Sequence, residues 1–104
     1  MAGLATSLDI VRDMARVDRK RLIRQLREEG LDVTEWSDEP DASYPEHAHA
    51  AREVRVVLQG TMTLVVNGVT HVLGPGDRLD LAPDEAHSAV IGPGGCTYLA
   101  GSDR

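Results

Sequence analysis

Residues 53–73 read EVRVVLQGTMTLVVNGVTHVL, and the fold is decided here. Val and Thr dominate the stretch, and polar and apolar residues alternate from Thr61 to Leu64. That is the period of a strand with one buried face. The reading is a strand over Glu53–Leu58, a second over Thr61–Val66 and a third over Val69–Leu73. Asn67-Gly68 is a two-residue link between β-prone runs. It is the strongest short hairpin signal, because both positions of the favoured turn need positive φ.

Working outward, further short strands are predicted over Val33–Trp36, Arg78–Leu81, His87–Ile91 and Thr97–Ala100. Turn-prone residues separate them: Asp38-Glu39-Pro40-Asp41-Ala42-Ser43, Gly74-Pro75-Gly76-Asp77 and Gly92-Pro93-Gly94-Gly95, the last two read as sharp turns. Many short strands at this spacing imply an all-β sandwich or barrel. Only residues 7–29 read as helix. Ser7 or Thr6 caps a first piece carrying Leu8, Val11 and Ala15. Asp18 caps a second with Leu22, Ile23 and Leu26 on one face, and Gly30 is a left-handed stop. The expected organisation is one domain, with residues 1–30 as a helical segment packing on a β-barrel of residues 31–104.

A chain of 104 residues has room for one core. Trp36, Tyr44 and Tyr98 are its only aromatics, so aliphatic side chains must fill that core. The net charge of −6 argues against nucleic acid as a partner. Residues 1–30 carry +2 and the remainder −8, but acids are interleaved with the basic groups of the helix, which is read as docking on its own barrel. No apolar run approaches the ~20 residues of a membrane span. Asp9 and Asp13 spoil the N-terminus as a secretory signal. A lone Cys96 offers no internal disulfide. A soluble cytoplasmic protein is expected.

The chemistry concentrates in Tyr44-Pro45-Glu46-His47-Ala48-His49-Ala50-Ala51-Arg52-Glu53. Residues two apart in a strand share a face, so His47 and His49 are expected to point together and share one ion. Glu53, opening the next strand, can return its carboxylate to the same space. His87, just beyond Pro83, would bring a third imidazole from across the barrel and complete an N₃O set.

His47-x-His49-xxx-Glu53, followed by six residues and Gly60, resembles the first motif of the cupin superfamily, and Gly76 to His87 resembles the second. The resemblance implies a cupin-type double-stranded β-helix, or jelly-roll barrel, with a metal held by His47, His49, Glu53 and His87. It spans roughly residues 44 to 91. Two departures stand out. The proline of the second motif sits one position late, at Pro83, and Val90 replaces an asparagine often found after the last histidine. Neither removes a ligand. Cupins also resemble one another in pairing, which implies a homodimer.

If Glu53 points inward, Arg55 and Val57 follow. Arg55 then either clamps an anionic ligand beside the metal or enters an internal salt bridge, unless a bulge turns it to solvent. Met62, Leu64 and Val66 share a face and form an apolar wall. Tyr98 either offers its phenol to the pocket or covers a barrel end, and Glu85 is the other candidate for an acid–base role. His71 reads as a surface histidine, and Cys96 as a small buried packing residue. Trp36 and Tyr44 are expected to cover apolar surface near the N-terminal arm or a second subunit.

The function expected is a small metal-dependent enzyme acting on an anionic small molecule, dioxygenase-like or otherwise using Lewis-acid chemistry. Arg55 and Tyr98 are its candidate catalytic residues, and its ion is one divalent transition metal (Fe, Mn, Ni, Co, Zn or Cu). The alternative is a cupin that senses a metal or small ligand and acts through its N-terminal helix. The space above the metal discriminates: an open pocket favours the enzyme, and a cavity filled by Met62 and Leu64 favours the sensor.

Overall fold

A computed structural model describes residues 18–103. The first helical piece, read from residue 7, lies outside them. The elements are α1 (Arg19–Glu28), β1 (Leu31–Asp38), β2 (Ser43–His47), β3 (Glu53–Val66), β4 (Val69–Leu73), β5 (Arg78–Leu81) and β6 (His87–Asp103). Asp18 caps α1 as expected, its carboxylate accepting from the Arg21 N–H at 3.1 Å. Gly30 stops the chain at φ 87°. None of the described helices is long and apolar enough to cross a membrane.

The strands form one antiparallel sheet that β3 and β6 hold together. Glu53–Val56 of β3 lies between β5 and the C-terminal part of β6, which pairs with β3 as far as Gly60 and also with β1. Met62–Val66 of β3 lies between β4 and the N-terminal part of β6, which also pairs with β2. The sheet therefore has two halves, sharing two strands. Their inner faces meet in a core of Val57, Met62, Leu64, Leu73, Leu81, Ile91 and neighbours drawn from both. This is the expected jelly-roll architecture, mainly β with one described helix.

Two expectations about the backbone need correction. The strands over 53–58 and 61–66 are one element, and so are those over 87–91 and 97–100. Gly92–Gly95 does not reverse the chain. Gly60 pairs with Cys96 and Met62 with Ile91, so Thr61 alone faces Gly92, Pro93, Gly94 and Gly95. The surplus is a wide bulge that bends both strands and lets β6 change partner from β2 to β1. Gly60 (φ 80°) and Gly95 (φ 79°) meet at this bend, and a Cβ on Gly60 would run into the Gly95 carbonyl.

Period-two alternation buries β3 on both faces. Val54 and Val56 point outward and pack, with Leu31 and Leu99, under Leu26, Leu22 and Ile23 of α1. Burying a Leu or Val side chain contributes about 1.5–3 kcal/mol. Glu53, Arg55 and Val57 point the other way. At the rim, Arg78 donates to both oxygens of Glu29 at 2.7 Å and to Asp80 at 2.7 Å, tying the end of α1 to β5.

Hydrogen bonds from Arg78 hold Glu29 and Asp80 below their ordinary values of 4.5 and 3.8. Carboxylates depressed in the folded state stabilise it above their unfolded pKa, and the gain is lost as pH falls through the folded pKa. Because these groups are partly exposed, Arg78→Gln lowers stability by at most about 1 kcal/mol at neutral pH. Its deficit against the parent shrinks as pH drops below 4.5, measured by urea midpoints across the pH range. Gly60→Ala meets both the positive φ and the Gly95 carbonyl. It costs about 3 kcal/mol or more, read from the same denaturation experiment.

Candidate metal centre

The site forms where β2 ends and β6 begins. His47 and His87 are register partners in this antiparallel pair, so their side chains leave the sheet on one face. His49 reaches the same place differently from the expectation. It lies two residues past the end of β2, in a loop whose His49 carbonyl accepts from the Asp84 N–H at 2.7 Å. Ring centroids stand 4.4 Å apart for His47 and His87, 4.8 Å for His47 and His49, and 5.5 Å for His49 and His87. One nitrogen from each ring lies within 4.8 Å of the others.

Backbone carbonyls orient two of the rings. His47 Nδ1 is 2.7 Å from the Pro45 oxygen, and His87 Nδ1 is 3.0 Å from the Glu85 oxygen. A carbonyl only accepts, so Nδ1 carries the proton in both and Nε2 keeps its lone pair. His87 Nε2 is buried and has no hydrogen-bond partner, alone in this among the described buried side-chain polar atoms. Leaving such an atom unpaired costs about 1–3 kcal/mol. A cation among the three imidazoles removes that cost, and the donor set suits a divalent transition metal. The residues fit the ion.

Glu53 stands beside the triad with both oxygens engaged. One accepts from Arg55 Nη2 at 2.7 Å and the other lies 3.3 Å from His49 Nδ1. Of the two readings of Arg55, the internal salt bridge is present, and it makes a part-buried guanidinium tolerable. Arg55 also borders a cavity of about 310 Å³ that reaches His47 and His87. Met62 and Leu64 line this space without closing it, whereas Val66 is buried in the core.

The far wall was only partly foreseen. Tyr98 faces the cavity, and so do Trp36 and Tyr44, which are also exposed at its mouth, while the N-terminal arm expected beside them lies outside the described residues. Both phenols donate at 2.7 Å to one oxygen of Asp38, which ends β1 instead of opening the expected loop. Trp36 pairs with Tyr98 across β1 and β6. The alternation Trp36-x-Asp38 was the available signal, but it needed that register to be read. Burial pushes the Tyr98 phenol up, and the Asp38 bond does the same for Tyr44. Glu85 braces the loop before His87, accepting from Asn67 at 2.9 Å and from the Ala82 N–H at 3.1 Å. His71 is half-buried in β4, outside the imidazole cluster. Cys96 is buried, which raises its thiol to about 11 and keeps it inert.

With this geometry in hand, the comparison with known families is direct: the model of the cupin domain matches residues 34–97. The chain is a cupin. Solved structures agree with the assignment. An RmlC-like cupin from Shewanella frigidimarina superposes with a TM-score of 0.64 at 29% identity, covering 72% of this cupin and 68% of that chain. KdgF from a Halomonas species, at 23% identity, shares the fold with a TM-score of 0.63 over 72% of this cupin and 71% of its own chain. The polyketide cyclase RemF from Streptomyces resistomycificus is 35% identical, with a TM-score of 0.62, over 69% of this cupin and 53% of that chain. The cupin thus spans about half of RemF. No curated protein sequence matches it.

Titrating the chelator-stripped protein with zinc or cobalt should give one ion per chain. His87→Ala weakens its affinity by more than the roughly 10–100-fold cost of losing an outer partner. His71→Ala leaves it unchanged. Equal affinities for the two variants would remove the centre from the imidazoles.

Proposed function

We propose that this cupin is a metal-dependent enzyme acting on a small, largely apolar molecule with an acidic oxygen. Glu53 completes the ligand set of His47, His49 and His87 in this reading. A bound divalent ion supplies Lewis acidity to a substrate oxygen and, if it is iron, access to dioxygen chemistry. The observation that carries the proposal is the cavity itself. One space of about 310 Å³ touches two of the imidazoles, Arg55 and two phenols, and is not filled by Met62 and Leu64. That openness supports catalysis over sensing, and so does α1, which packs on the outer face of the sheet.

The protein's own groups divide the work. Met62, Leu64, Ala89 and Ala100 exclude water from an apolar substrate body. Arg55, already half-neutralised by Glu53, presents its remaining N–H groups to anionic oxygen, as in a carboxylate or an enolate. Tyr98 keeps its proton near neutral pH, bound to Asp38, and offers its phenol oxygen as an acceptor at the cavity wall. The likeness to RemF supports carbonyl–enolate chemistry as the reaction class, because a polyketide is a chain of carbonyls whose cyclisation needs one of them polarised. Partners in this reading are small molecules, and the charge of −6 works against nucleic acid.

The test loads the purified protein separately with iron, manganese and zinc and offers small 1,3-dicarbonyl and phenolic acids. Products are read by mass spectrometry and oxygen uptake by electrode. Turnover without uptake identifies Lewis-acid chemistry; uptake with iron alone identifies a dioxygenase. Arg55→Leu should weaken binding of an acidic probe by about ten-fold or more at unchanged metal content. No change in either quantity removes Arg55 from the site, and no turnover with any ion turns the assignment towards sensing.

A further inference from the structure

The chain contains no phenylalanine, one tryptophan and two tyrosines. All three aromatics line a cavity that reaches the histidines. The core is built without them except for Tyr98, so their gathering is not a by-product of packing. The two tyrosines are further distinguished by their protons. A phenol has one O–H to give, and both give it to the same Asp38 oxygen at 2.7 Å. Asp38 is the last residue of β1 and is not among the residues lining the cavity. What remains to each phenol oxygen is its lone pairs.

We propose that the tyrosine end of the cavity is an acceptor-only subsite, selecting ligands that bring a hydroxyl proton to it: phenols or enols. The inference rests on the reading of the cavity as a substrate site and adds the class of substrate. A ligand that needs a donor there, such as a carboxylate or an ether, must pull a phenol proton off a carboxylate. Charge-assisted hydrogen bonds are roughly twice as strong as neutral ones, so that exchange is a losing one. Both phenols are shifted upward by burial and by Asp38, and they hold their protons at neutral pH instead of ionising into a negative wall. Tyr44 lies three residues before His47 in β2, about 10 Å along the strand, so one ligand can meet the histidine end with an acidic oxygen and the tyrosines with its hydroxyl. Arg55 also lines this space, but one of its donors is already given to Glu53 at 2.7 Å.

The experiment is calorimetric titration of the zinc-loaded full-length protein with 4-hydroxybenzoate, 4-methoxybenzoate and terephthalate, zinc content being measured separately. 4-Hydroxybenzoate should bind roughly ten- to a hundred-fold tighter than the other two. Asp38→Ala frees both phenol protons, so the preference collapses or reverses towards the ether and the diacid at unchanged zinc content. The double variant Tyr44→Phe/Tyr98→Phe keeps both rings and also loses the preference, which covers the case in which Asp38→Ala fails to fold. Equal binding of the three acids, no binding of any, or a preference that survives both variants overturns the inference. If zinc still binds and Arg55→Leu still weakens all three acids, the proposed enzyme site stands without it. If zinc is not held by the histidines, that site falls, and the hydroxyl preference of the metal-free protein decides the subsite alone.

Discussion

Everything in this fold depends on β3 and β6 passing close enough to bend together. The contact is backbone against backbone, Gly60 against the Gly95 carbonyl, and no side chain at Gly60 leaves room for it. Four residues of β6 facing one of β3 let the pair fold back over itself without losing its ladder. One half of each strand then belongs to each half of the sheet. The inner faces close on an aliphatic core, and the gap they leave at one end is the cavity. Without the bend, His87 and Tyr98 would lie on one extended strand and never border the same space.

The site sets polar groups beside partners, and among the described buried side-chain polar atoms one is left without. Buried Glu53 and part-buried Arg55 neutralise each other, which is why an arginine is tolerated inside a small barrel. Two imidazoles are turned by backbone carbonyls, a device that needs no side chain to set the tautomer. Asp38 binds two phenols at once. Against this background the unpaired His87 Nε2 is conspicuous, and it marks the position that a metal would fill.

The candidate site was more legible than the fold's details. The paired motifs named the histidines, and the alternation from Glu53 placed Arg55 and Val57 inside. Helix capping by Asp18, the stop at Gly30 and the Asn67-Gly68 hairpin were readable because each is set by the sterics of a few adjacent residues. Gly92–Gly95 was misread for a related reason. Glycine and proline announce that the backbone departs from regularity, but a tight turn and a wide bulge call for the same residues. His49 was placed in a strand by spacing alone, and the strand ends at His47.

The sequence by itself determined the period of each segment, the mainly β architecture, the cupin motifs and the residue types available to bind a cation. These follow from local backbone preference and from side-chain chemistry, which travel with the residue. Only the tertiary structure decided that Asp38, Trp36 and Tyr44 join Tyr98 around the cavity, that Glu53 meets Arg55 and His49, and that His47 faces His87. Those relations are set by strand register across β1, β2 and β6. Register is fixed by the packing of distant segments against one core, and no local pattern contains it.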